Sequence, residues 1–296
     1  MRKPRIEVEK FINVKGKIMF FGEKKPLTAI ETTKVLDVFK LMKKRDKRLV
    51  ILTDQDKYHI KGIIATSDIC HFLLKGESCE YCSKFPSHYY QIYEQPISVL
   101  ARARPVIKLH HETPLFIGVH IMNEQNIGML PLIDKDSDLI GIITERHIAF
   151  LLADTKQNLE VKVKDIMTPN VITCTPSQTI GDALHIICEK GFRRIPVVEN
   201  GNLVGYFTVK DLLRYFIQDG VVKLFQDHNV DPIFHEKLNS IMVRPVITID
   251  PEAAITQCAS VLKKKSIGGL PVVEDDKLVG IITEHDIVRA MAISQS

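Results

Sequence analysis

The feature that most constrains this chain is a ten-residue pattern that occurs four times. It reads Leu203-Val204-Gly205-Tyr206-Phe207-Thr208-Val209-Lys210-Asp211-Leu212, and again Leu278-Val279-Gly280-Ile281-Ile282-Thr283-Glu284-His285-Asp286-Ile287. Two looser copies keep the frame: Ile60-Lys61-Gly62-Ile63-Ile64-Ala65-Thr66-Ser67-Asp68-Ile69 and Leu139-Ile140-Gly141-Ile142-Ile143-Thr144-Glu145-Arg146-His147-Ile148. Recurrence of one supersecondary unit means a repeat protein, whose copies bury apolar faces against one another.

The sequence before each copy follows a common plan. In the third, Val171-Ile172-Thr173 is β-branched and predicts a short strand. Ile180, Ala183, Leu184, Ile187 and Cys188 follow the spacing of a buried helix face. Thr179 and Asp182 suit a capping pair at its start. Ile195-Pro196-Val197-Val198 predicts a strand, with Pro196 at an edge or first position. Glu199-Asn200-Gly201-Asn202 is hairpin-turn chemistry, Leu203 to Phe207 the return strand, and Val209 to Gln218 a closing helix. The fourth copy repeats this order with Val246-Ile247-Thr248, the stripe Ile255, Cys258, Ala259 and Leu262, then Leu270-Pro271-Val272-Val273 and an Asp275-Asp276 turn. The second has Pro105-Val106-Ile107, Leu115, Val119 and Met122, then Leu130-Pro131-Leu132-Ile133; the first has Val35, Val38, Phe39 and Met42, then Leu49 to Leu52.

The expected fold is therefore α/β (α+β), four β-α-β-β-α repeats spanning 13–75, 95–153, 161–218 and 236–292. One repeat alone is too small to bury a sufficient core. Pairing one with two and three with four across pseudo-twofold axes would solve this, in a compact disk. Linkers are expected at 75–94, 154–160 and 217–236. The first carries Cys79-Glu80-Tyr81-Cys82, which with Cys70 or His88 has zinc-ligand chemistry; a plain or redox-sensitive pair is the preferred reading and no metal is assigned. The other cysteines sit in apolar, periodic segments and read as core.

At this point the residues carry a family resemblance. Asp165-Ile166-Met167-Thr168-Pro169 opens repeat three and Ser240-Ile241-Met242 opens repeat four. With the Pro-Val-Val strands and the Gly-x-x-Thr-x-x-Asp endings, the unit resembles the CBS domain. Four in tandem, as two Bateman modules, resemble the gamma subunit of AMP-activated protein kinase and stand-alone prokaryotic and archaeal CBS proteins. The resemblance implies AMP, ADP or ATP bound in clefts between paired repeats, with no required cofactor. By it, the Thr of Thr-x-x-Asp approaches phosphate and the Asp takes the ribose hydroxyls. It would set Thr283 and Asp286 with Val171, Thr173 and Arg193, and Thr208 and Asp211 with Val246 and Thr248. Arg193-Arg194 matches a place where the kinase subunit carries phosphate-touching residues.

The residue chemistry fits this picture and also a blander one. Thr-x-x-Asp before a helix is a capping box, yet helix N–H groups suit phosphate and a carboxylate suits a diol. The copies are unequal. Thr208/Asp211 and Thr283/Asp286 are intact, whereas repeat one has Ala65 before Thr66 and Asp68, and repeat two has Thr144 but His147 in the Asp place. Imidazole cannot serve a diol as a carboxylate does; with Arg146 it could meet a phosphate. Asp68, Thr144, Arg146 and His147 are thus weaker candidates, and Asp211 and Asp286 the expected working ones.

Lys40, Lys43, Lys44, Arg45, Lys47 and Arg48 form a basic cluster, read as a solvated helix face dispensable for nucleotide binding. His110-His111-Glu112 reads as loop and cap chemistry. The formal net charge of +4 suits anionic small molecules and only weakly suggests nucleic acid. No apolar run reaches the ~18 residues of a membrane span, and no secretory signal is evident, so a cytoplasmic location is expected. The repeats leave no room for a catalytic barrel of about 250 residues. A regulatory, non-enzymatic adenylate sensor acting on a partner protein or as a homodimer is the leading expectation. Nucleic-acid binding and S-adenosylmethionine sensing are the alternatives.

Overall fold

The computed structural model describes residues 6–7, 13–56, 58–74, 90–101, 105–155 and 159–292. The Cys79/Cys82 pair and His88 lie outside them. The chain is a mixed α/β fold of four repeats, divided into two compact units. One unit holds residues 1–26, 107–171 and 247–296; the other holds 27–106 and 172–246.

Repeat one runs through a strand at Thr28–Ile30, a helix at Val35–Lys44, strands at Leu49–Thr53 and Ile60–Ala65, and a closing helix at Thr66–Leu74. Repeat two has the same order at Leu109–His110, Leu115–Glu124, Met129–Ile133, Leu139–Thr144 and Glu145–Ala153. Repeats three and four have helices Ile180–Lys190 and Ile255–Lys265, hairpins Arg194–Glu199/Asn202–Thr208 and Gly269–Glu274/Lys277–Thr283, and closing helices Val209–Phe216 and Glu284–Ala290. In repeats one and two the first strand pairs in parallel with the second, which pairs antiparallel with the third.

Local chemistry explains the turns. Asn200 and Gly201 sit at φ 51° and 82°, Asp275 and Asp276 at 47° and 62°. Two successive positive φ values match the right-handed twist of a hairpin, and Asn, Asp and Gly adopt them cheaply. Pro196 stands inside its strand, where its carbonyl accepts the bond from Cys174 N and no N–H is needed. Thr179 and Asp182 form the expected reciprocal cap.

Two expectations are corrected. Val171-Ile172-Thr173 and Val246-Ile247-Thr248 are not strands. The residues just after them touch the hairpins by single parallel bridges, Cys174 to Val197 and Ile249 to Val272. In repeat three Asn170 turns the chain at φ 54° just before, and Ile172 and Ile247 are left exposed. In repeat two the strand begins at Leu109, beyond Pro105-Val106-Ile107. The supposed linker 217–236 is helical, at Asp219–Gln226 and Asp231–His235. Its Val221, Val222, Phe225 and Ile233 are buried. Phe225 meets the edges of Tyr93 and Phe216, and the Tyr93 hydroxyl donates to Phe216 O at 2.6 Å.

Each unit has one core built mainly on two repeats, with opening segments of the other two added. In the first, the closing helix of repeat two packs on helices Ile255–Lys265 and Glu284–Ala290 of repeat four. In the second, the closing helix of repeat one packs on Ile180–Lys190 and Val209–Phe216 of repeat three. Opening segments are exchanged between sequence neighbours. Thr168 and Ile281 bond mutually at 2.9 and 3.0 Å, seating the opening of repeat three on repeat four. Val243 and Tyr206 do the same at 2.7 and 3.2 Å, seating the opening of repeat four on repeat three. Met167 lies so close to Gly280 that a Cβ there would fall 2.5 Å from its Sδ, and Met242 crowds Gly205 still more closely. This exchange explains why Met167 and Met242 of the opening segments go with Gly280 and Gly205 of the hairpins; Met19 likewise crowds Gly141, whereas Gly62 faces Ala101.

Candidate functional site: the Thr-x-x-Asp loops

Repeat three presents the most enclosed loop. Thr208 caps the helix Val209–Phe216, and Asp211 Oδ2 accepts from Thr208 N at 2.9 Å and Oγ1 at 2.6 Å. Its Oδ1 accepts from Arg214 Nη1 at 2.9 Å. Asp211 is only 5% exposed, and burial raises its carboxyl above the usual range against the opposing pull of Thr208 and Arg214. Arg194 stands opposite Thr208 in the hairpin, and the Arg193 carbonyl accepts from Val209 N. Both arginines are half-buried, which is not the state of a freely solvated pair. Lys210 Nζ holds Asp46 of repeat one at 2.8 Å. Val246 is half-buried beyond the exchanged segment, where Arg244 Nε donates to Val204 O at 3.0 Å.

Repeat four has the more open loop. Asp286 Oδ2 accepts from Thr283 N at 2.9 Å and Oγ1 at 2.7 Å. Its Oδ1 accepts from Thr168 Oγ1 at 3.2 Å, and the side chain is half-buried. Each carboxylate oxygen can accept twice, so Asp286 retains acceptor capacity toward a diol. Thr168, in the sequence only part of the Asp165–Pro169 motif, thus joins the candidate site through this hydrogen bond. Its counterpart in repeat four is Val243, which has no hydroxyl. Val171 is half-buried in this same unit; Thr173 is half-buried and Thr248 exposed.

The two altered loops are now explicit. In repeat one, Asp68 Oδ2 accepts from Ala65 N at 2.8 Å, but Thr66 is turned inward, its N and Oγ1 both directed to Arg48 O. Thr66 therefore does not replace the missing hydroxyl. In repeat two, His147 occupies the capping role of the Asp, with Nδ1 accepting from Thr144 N at 3.2 Å. A neutral ring bonded this way carries its proton on Nε2, a donor and not a diol acceptor. Arg146 does not join it toward a phosphate: it pairs with Glu284 at 2.8 Å and lies over the Phe150 ring. Reciprocally, His285 Nδ1 meets Glu145 Oε1 at 2.5 Å. These two pairs join the loops of repeats two and four, and were not legible in the sequence because their partners are about half the chain apart.

The basic cluster divides. Lys40, Lys43, Lys44 and Arg45 are exposed, whereas Lys47 and Arg48 are half-buried at the start of a strand. His110 and His111 face each other across a tilted 4.5 Å contact, beside a Glu112–Lys17 ion pair. Among the described residues, no three His, Cys, Asp or Glu side chains converge on a metal site. Cys174 and Cys258 are buried, with thiols pushed by burial up to about 11 and about 12, so neither is a ready thiolate. No helix among the described residues is long and apolar enough to cross a membrane.

Four units of one topology, each ending in this loop, match one family throughout: the CBS domain aligns with residues 21–75, 101–154, 163–218 and 238–293. The chain belongs to the CBS-domain family. Among its relatives is the uncharacterized protein MJ1225 of Methanocaldococcus jannaschii, 28% identical over 271 residues, covering 91% of this chain and 96% of that one. Its crystal structure, described as that of a candidate archaeal homologue of g-AMPK, superposes with a TM-score of 0.83 at 27% identity, covering 92% of this chain and 99% of that one. An uncharacterized 33.4 kDa protein in a ribosomal RNA operon of Thermofilum pendens is 29% identical over 273 residues, covering 91% and 89% of the two chains. A conserved protein of Pyrococcus horikoshii shares the fold at 20% identity, with a TM-score of 0.61 over 93% of this CBS protein and all of its own chain.

Proposed function

We propose that this CBS protein is a cytoplasmic adenine-nucleotide sensor that regulates a partner protein, or a second copy of itself, without chemistry of its own. AMP, ADP or ATP is the ligand, and no cofactor is required. One observation carries the reading. Two of the four loops keep both a hydroxyl for the phosphate side and a carboxylate for the ribose side, each preset by reciprocal hydrogen bonds. Resemblance to the M. jannaschii protein supports the adenylate class.

The direct test is thermal melting of the purified protein with AMP, ADP, ATP, NADH and S-adenosylmethionine. A ligand that binds only the folded state at a hundred times its Kd adds about 2.7 kcal/mol. An upward shift with at least one adenine nucleotide is expected. A shift with S-adenosylmethionine alone would reassign the ligand, and none at all would remove the sensor reading.

The exposed Lys43, Lys44 and Arg45 favour nucleic acid. They lie at the end of a helix and away from the Thr-x-x-Asp loop of their own repeat in sequence. Reversing all three charges should leave nucleotide affinity within a few-fold by calorimetry. A loss beyond tenfold, about 1.4 kcal/mol, would place the cluster in a site. Steeply salt-dependent binding to DNA or RNA, abolished by the same variant, would favour the nucleic-acid reading.

A further inference from the structure

Among the described residues, two buried side-chain oxygens have no hydrogen-bond partner, Thr53 Oγ1 and the Tyr206 hydroxyl, and the second belongs to the hairpin that leads into the repeat-three loop. Tyr206 stands in the return strand of repeat three, directly before Phe207, which is wholly buried in the core. Neighbouring strand residues point to opposite faces, so the Tyr206 ring lies on the other face. That face is the one carrying the site: Pro196 is opposite Tyr206 in register, and Arg194 is opposite Thr208. The Tyr206 hydroxyl is sealed from solvent and has no hydrogen-bond partner. Burial holds its pKa well above the usual phenol value, with the charges of Arg194 and Asp211 both acting on it. It is thus a neutral donor amid the arginine, threonine and carboxylate of one loop. The corresponding residues in the other repeats are Ile63, Ile142 and Ile281, none of which can donate.

An unpaired buried hydroxyl is costly, because folding strips its water and gives nothing back. If the ring were needed only for packing, Phe would serve better. We propose that Tyr206 is a ligand-contacting, specificity-determining residue of repeat three, its phenol donating a hydrogen bond to an acceptor on the sugar–phosphate part of a bound nucleotide. This rests on the reading of Thr208 and Asp211 as a nucleotide site, and it makes the repeat-three loop chemically distinct from the repeat-four loop.

The test is Tyr206→Phe in the full chain, compared with wild type, Asp211→Ala and the double variant. Ligand-free melting and calorimetric titration with AMP are the two readouts. Removing the unpaired hydroxyl should raise the ligand-free melting temperature by a few degrees. The same change should weaken one class of AMP sites about tenfold, leave the other class unchanged, and add nothing once Asp211 is gone. A purely structural tyrosine cannot give opposite signs in the two readouts. If Tyr206→Phe leaves AMP affinity within twofold while Asp211→Ala weakens it, Tyr206 is not a ligand residue and the proposal fails alone. If neither variant alters AMP uptake, the nucleotide reading of repeat three has failed, and the proposal with it.

Discussion

Replacing Glu284 by methionine should destabilise the protein by about 3 kcal/mol, and replacing Arg146 by methionine as well should restore most of that loss. Glu284 is 1% exposed and takes the Arg146 guanidinium at 2.8 Å. Removing the carboxylate leaves a cation that is 22% exposed on its side chain and held against the Phe150 ring. Partial hydration keeps the penalty at the lower end of the range for a broken buried pair. Two apolar side chains remove the desolvation cost of both charges together, so the double variant should approach wild type. Repeat three shows that the position accepts an apolar residue: Val209 stands there, 4% exposed. Urea denaturation of the two singles and the double measures this, with an unchanged m-value as the control for two-state behaviour. Additive losses would mean that the pair contributes no coupling.

What the sequence revealed and what it concealed divide along physical lines. The repeat, its helix stripes and its hairpin turns depend on neighbours close in sequence, and Asn200-Gly201 and Asp275-Asp276 adopt the turns their chemistry demands. The helices within 217–236 are not legible in the sequence, because Gly220 and Pro232 interrupt any long period and leave two short segments whose burial comes from tertiary partners such as Tyr93. Val171–Thr173 is β-branched and favours extended backbone, but a ladder also needs a partner in register, and the segment has none. At the site, the Thr-x-x-Asp pairs are local and legible. Thr168, Arg214 and the Glu145–His285 pair are not equally so. Thr168 and Glu145 act on loops over a hundred residues away, and Arg214 looks like any solvated helix residue until Asp211 is seen to be buried.

Asp211→Ala and Asp286→Ala should each weaken one nucleotide site by about ten- to a hundredfold. Loss of a carboxylate that holds a diol removes charge-assisted hydrogen bonds worth roughly 1.5–3 kcal/mol. Asp286 has the more accessible acceptor, with Thr168 and Thr283 as its hydrogen-bond donors. Asp211 is held by Arg214 and Thr208 and so is preset at some cost. Its folded pKa is raised by burial, so the ionised form is disfavoured in the fold, a penalty that sets in as pH rises past the ordinary carboxylate range. Removing it relieves that penalty, which offsets part of the lost helix cap. Asp68→Ala should matter least, because Ala65 offers no hydroxyl and Thr66 is turned to Arg48.

Titration calorimetry of AMP into the wild type, Asp68→Ala, Asp211→Ala and Asp286→Ala decides whether repeats three and four hold the working nucleotide sites. The tightest events should survive Asp68→Ala, and one should be lost or weakened at least tenfold in each of the other two variants. Loss of the tightest event in Asp68→Ala, with normal binding by Asp211→Ala and Asp286→Ala, would contradict this assignment and move the working sites to the N-terminal pair of repeats.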